Sequence, residues 1–153
     1  MAAPKFTQTP NLGRVAIPTT NAVVKNDGSS TAGAAATQMT LVFTAGASGS
    51  YLEKVRFFSV ASVAATGSVA TTLRVFVSTV ADPSATNTTA ANTFLIGEIA
   101  VPAITSAVSA TSTPSFDVII DLAIPTGSYV HVCQHVAQTT NQNWIALAVG
   151  GDY

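Results

Sequence analysis

Three side chains capable of metal binding or nucleophilic attack alternate along one short stretch: His131, Cys133 and His135. Valines at 130, 132 and 136 surround them and favour a strand, which sets all three on one face. A zinc ion holds its ligand atoms at about 2.0–2.3 Å. Four residues of extended chain span ~13 Å, so His131 and His135 do not converge on one ion. Two neighbouring members, or copies around a symmetry axis, are the only metal arrangements left open. The stretch therefore reads as a half-buried or interfacial strand with no metal. Cys133 has no Lys or Arg near it in sequence to lower its pKa, and reads as an inert buried thiol.

Asp117 and Asp121 are the best carboxylate pair, and the same strand spacing holds them ~13 Å apart. Glycosidic chemistry needs about 5–5.5 or 6.5–9.5 Å. As a pair they fit the other role of strand carboxylates, keeping one face wet and discouraging edge pairing. Gly46-Ala47-Ser48-Gly49 falls short of a nucleophile elbow, and neither a dinucleotide fingerprint nor a phosphate-loop lysine occurs. The residues point to no catalytic group and no cofactor, so the chain is expected not to be an enzyme.

Charge is scarce. Only 8% of the 153 residues are Asp, Glu, Lys or Arg, against about 25% in ordinary domains. Six basic and seven acidic residues leave a net charge of −1, which argues against direct binding to nucleic acid or an anionic membrane. A lone soluble domain covers about 25–35% of its surface with charge. A chain that omits it is expected to spend its surface on neighbours, including copies of itself. One cysteine excludes an intrachain disulfide. The start, Met1-Ala2-Ala3-Pro4-Lys5-Phe6, lacks a signal peptide's apolar stretch, and no run reaches the ~18 apolar residues of a membrane span. Synthesis in a cytoplasm is the expectation, and Asn87-Thr88-Thr89 reads as a chance glycosylation match.

Residues 1–37 read as an extended N-terminal arm with short edge strands. The segment carries Pro4, Pro10 and Pro18, the turn Asn26-Asp27-Gly28 and a small-residue stretch to Thr37. Residues 38–153 read as one β domain. Strands are expected at Gln38–Thr44, Tyr51–Val60, Val69–Thr79, Thr93–Val101, Ser115–Leu122, Ser128–Val136 and Asn143–Val149, with an eighth near Ala22–Lys25. Turn chemistry separates them, as in Pro125-Thr126-Gly127. Alternation gives apolar faces of Met39, Leu41 and Phe43, of Thr71, Leu73, Val75 and Val77, and of Phe116, Val118, Ile120 and Leu122. One apolar face per strand is the pattern of an antiparallel β-sandwich, here about eight strands of jelly-roll type.

Tyr51–Val60 breaks the alternation. Val55 and Phe57 oppose Lys54 and Arg56, yet Leu52, Phe58 and Val60 fall on the Lys/Arg side. Either a bulge shifts the phase or both faces are buried. Arg56 with Phe58, and Arg74 with Phe76, each set an arginine and an aromatic opposite the expected core. Such residues are enriched at interface centres, so all four are interface candidates. Trp144, off the Ile145, Leu147 and Val149 face, and Tyr153 are further ones.

Three stretches carry a family resemblance: Leu41 to Val55, Ala70 to Val77, and Trp144 to Tyr153. Together they resemble small jelly-roll virion proteins of tailed bacteriophages, of the capsid decoration or cement type. The resemblance covers roughly residues 38–153. It implies a non-enzymatic homo-oligomer, a trimer at three-fold positions, that binds the major capsid protein on the outside of the head. The implied location is the virion surface. A tail- or fibre-associated module that attaches fibres or binds a host glycan is the alternative, marked by Trp144 or Tyr129 beside Asp117.

Overall fold

The structure is a computed structural model that describes residues 9–17, 39–61, 66–81, 88–106, 114–139 and 142–153. The strand expected at Ala22–Lys25, the turn at Asn26 and the rest of the expected arm outside 9–17 lie outside these residues, as does Asn87. Every regular element is a strand: β1 (Thr9–Ile17), β2 (Thr40–Thr44), β3 (Ser50–Ala61), β4 (Thr66–Gly67), β5 (Thr71–Ser78), β6 (Thr93–Val101), β7 (Thr105–Ser106), β8 (Ser115–Ile124), β9 (Tyr129–Gln134) and β10 (Gln142–Asp152). No helix among the described residues is long and apolar enough to cross a membrane.

Two four-stranded antiparallel sheets, β1-β10-β3-β8 and β2-β9-β5-β6, stack into a sandwich, and β4 and β7 form a short ladder of their own. The pairings nest: β1 with β10, β2 with β9, β3 with β8, β4 with β7, β5 with β6. That is one long hairpin folded over on itself. Two lateral ladders, β10 to β3 and β9 to β5, then close the sheets. The result is jelly-roll topology, eight main strands in two Greek keys. The sheets meet at both margins, β1 beside β2 and β6 beside β8.

Inward side chains from both sheets form the core. Val55, Phe57, Trp144, Ala146 and Ala148 come from the first sheet, and Leu73, Val75, Val130 and Val132 from the second. Large Trp144 and Phe57 pack with small Ala146 and Ala148 in this layer, as interdigitating sheets require. Pro125 to Ser128 forms a turn, with the Ser128 amide donating to the Pro125 carbonyl (3.2 Å) and Gly127 at φ 73°. A positive φ at that third position is why glycine stands there.

Register shifts in four of the ladders set the phase of the strands. In β3 the register shifts between Leu52 and Lys54, so Leu52 turns inward while Lys54, Arg56, Phe58 and Val60 stay outward. The opposing irregularity in β8 holds Asp121 at φ 52°. Beyond it Leu122 pairs with buried Leu52 and Ile124 with buried Ser50, so Leu122 keeps the face of Ile124 but stands 40% exposed. In β2 the register shifts between Leu41 and Phe43. Val42 and Phe43 are both buried and Leu41 is exposed, so the face expected from Met39, Leu41 and Phe43 does not form.

β1 is longer than the Val15–Ile17 piece that reads as strand in the sequence. Pro10 is tolerated because β1 pairs on one side only, with β10.

Candidate interaction surface

The outer face of the first sheet is built by alternation from four strands, and registry lines its side chains into rows. One row is Ala16, Ile145, Phe58 and Ser115; the next is Arg14, Leu147, Arg56 and Asp117; the third is Leu12, Val149, Lys54 and Ile119. A sheet face turned to water normally alternates apolar-in with polar-out. Here the outward set is mostly aliphatic and aromatic. Leu12 and Ile119 are 66% and 67% exposed. Ile145, Leu147, Phe58, Val60 and Arg14 line a depression of about 270 Å³ in this face. A contiguous outward apolar patch of this kind marks a surface meant to be covered.

Apart from Arg14 on β1, the charge on the face is gathered on β3 and β8. Arg56 grips Asp117 through two parallel hydrogen bonds, Nε to Oδ1 (2.5 Å) and Nη2 to Oδ2 (2.7 Å). Lys54 Nζ lies 3.6 Å from both Asp117 and Glu53. The hydrogen bond from Arg56 holds the Asp117 carboxyl below the usual aspartate range and raises the arginine in turn. Asp117 is thus a partner for Arg56, and its interval from Asp121 is broken by the bulge.

The six sequence candidates divide. Arg56 and Phe58 sit side by side on the outer face, two residues apart on β3. Arg74 lies on the other sheet, its Nε donating to Glu98 (3.0 Å) and its Nη1 3.4 Å from His135 Nδ1. Tyr153 is half-buried at the chain's end, its amide donating to the Gly49 carbonyl (3.2 Å). Phe76 and Trp144 are corrections, for both are 0% exposed and offer nothing to a partner. Phe76 points away from the main core but is enclosed with Met39, Cys133 and Leu95. Trp144 points inward and meets Phe116 edge-on, ring centres 5.9 Å apart at 66°. With Trp144 inside and Tyr129 on the opposite sheet, neither forms an aromatic platform with Asp117.

The residues that sequence reasoning missed are Arg14, Ile145 and Leu147. The signal lay in β10, which is apolar on both faces; the small residues Ala146 and Ala148 share Trp144's side and mark it as the filled interior.

On the second sheet, His131 Nε2 donates to the Val80 carbonyl (2.9 Å) and its ring is buried. Burial pushes the Cys133 thiol up to about 12, against a smaller opposing pull from Arg74, which suppresses its thiolate. His135 stands exposed at the end of that strand. A further polar cluster ties the chain's ends together. Asp152 Oδ1 accepts from Asn11 Nδ2 (2.9 Å) and from the Ser50 hydroxyl, which itself accepts from the Gly46 amide (2.8 Å). Those donors, Ser50 foremost, hold the Asp152 carboxyl below its ordinary value.

No protein-family model matches the chain, and no curated protein matches it. Among solved structures, the cyanophage Pam1 capsid asymmetric unit aligns over 98% of this chain and 90% of that chain, at 16% identity and a TM-score of 0.43. A superposition that loose assigns neither topology nor role.

Proposed function

We propose that this protein is a non-enzymatic structural component of a phage virion, a decoration or cement protein bound to the outer capsid surface. The observation that carries the reading is the outer face of β1-β10-β3-β8, whose outward side chains are mostly apolar and whose charges, Arg14 aside, are paired with one another. Exposed alone, such a face is a liability; laid on a shell, it is an adhesive. The jelly-roll topology and the scarcity of charge across the chain agree with it.

The mechanism is multivalent burial. The protein acts as a homo-oligomer, a trimer at three-fold positions, so each weak contact with the major capsid protein is reinforced by the effective concentration of its neighbours. Bridging capsomers in this way resists outward pressure on the shell. Localisation at the virion surface, after synthesis in the host bacterial cytoplasm, follows from the same reading.

Particles imaged with and without the protein test this directly. Density on the outer surface, present only with the protein and stoichiometric with capsomers, is the expected result. A stable monomer that never sediments with capsids would overturn it.

A further inference from the structure

Arg14 joins two depressions. One is the apolar hollow of about 270 Å³ beside Phe58, Ile145 and Leu147. The other, of about 380 Å³, lies between β1 and β2 and is flanked by exposed Leu12 and Leu41. Arg14 lines both, so the two hollows adjoin at this residue and make one track across β1.

The charges along the face are already matched except there. Arg56 is held by Asp117, and Lys54 lies between Asp117 and Glu53. Arg14 has no ion pair among the described residues. From the register it stands three strands from Asp117, ~14 Å at the usual spacing. We infer that this track seats an extended segment of another protein in which a carboxylate is flanked by apolar residues. The carboxylate meets Arg14, one apolar side chain enters the Phe58 hollow, and another lies against Leu12 and Leu41. Planar, forked guanidinium suits a carboxylate, and apolar walls strengthen the pairing by excluding water. A second copy of the same face is a poor occupant. Its carboxylates there, Asp117 and Glu53, are already engaged, and copy on copy sets cation against cation. The inference rests on the proposed role as a binder of another protein's surface, and names the chemistry that surface must offer.

The test is selection of a displayed library of random seven-residue peptides on the immobilised full-length protein. Enriched peptides should carry Asp or Glu between aliphatic or aromatic residues. For one such peptide, Arg14→Ala should weaken binding about tenfold or more, Phe58→Ala should weaken it too, and Arg14→Glu should turn the preference toward Lys and Arg. Arg14→Gln, isosteric in stem length, serves where Arg14→Ala melts below the parent. No acidic enrichment, or affinity unchanged without the arginine, overturns the inference. So does sedimentation showing that the parent self-associates and that Arg14→Ala abolishes it, since the occupant is then a second copy. Capsid co-sedimentation of the same variants keeps the two readings apart: binding to particles that survives Arg14→Glu leaves the decoration role standing and removes the track from it.

Discussion

Gly13 on β1 passes Val42 on β2 so closely that a Cβ on the glycine would stand 1.5 Å from the Val42 carbonyl oxygen. The obstacle is backbone at the margin where the two sheets meet, so it cannot swing aside. Gly13→Ala should therefore destabilise the protein by about 3 kcal/mol, or displace β1 altogether. Gly127→Ala is the control. Nothing lies within 4 Å of a Cβ there, and only its φ of 73° resists the change, a cost of about 1–2 kcal/mol. Urea midpoints of the two variants measure the difference.

Acid should loosen the fold through Asp117 and Asp152. Both carboxyls are held below the ordinary 3.8 by hydrogen bonds, from Arg56 and from Ser50 and Asn11 respectively. The unfolded chain then takes up protons first as the pH falls. Their stabilisation is complete above the ordinary value and is lost as the pH drops through the folded one. Asp117→Asn should be less stable than the parent at neutral pH, and the gap should narrow as the pH falls below 3.8. Melting temperatures across that range check it; a gap that stays constant counts against the pairing.

Asp121 occupies the left-handed region at φ 52° within the β8 bulge. Aspartate enters that region more readily than most residues, and β-branched side chains hardly at all. Asp121→Val should cost about 1–2 kcal/mol more than Asp121→Gly. Equal stabilities for the two would show that backbone conformation there is not limiting.

Trp144, the chain's single tryptophan, makes its burial easy to read. Folded protein should emit at short wavelength and resist acrylamide quenching, with both properties lost in denaturant. Trp144→Ala should cost about 3–5 kcal/mol. Phe58→Ala, on the outer face, should cost about 1 kcal/mol or less and leave the fold intact.

Seven of the eight main strands were legible because period-two alternation survives wherever a strand is regular. Thr93–Val101 agrees to the residue, and Gln142–Asp152 extends the expected Asn143–Val149 at both ends. The alternation fails at bulges, which insert a residue without a strong local signature. That is why Leu41 and Phe43, expected on one face, part company in β2, while Phe58 and Arg56 lie on the outer face as expected. β1 was obscured by Pro10 and Gly13, residues that discourage a strand locally. Tertiary context accounts for both: a single-sided edge for Pro10, a tight crossing for Gly13. Trp144 was misplaced because β10 is central to its sheet and apolar on both sides, and composition cannot say which side faces in.

The nested pairing also orders the protein's own making. β9 lies between β2 and β5, and β10 between β1 and β3. The strand that joins the two halves of each sheet is thus one of the last two described strands in chain order. At ordinary elongation rates β1 waits on the order of ten seconds for β10. Before β9 and β10 are made, the pairs able to close are the inner ones, β3 with β8, β4 with β7 and β5 with β6. Neither sheet is complete until β9 and β10 have emerged, so a nascent chain stopped short of them has no partial sandwich to fall back on.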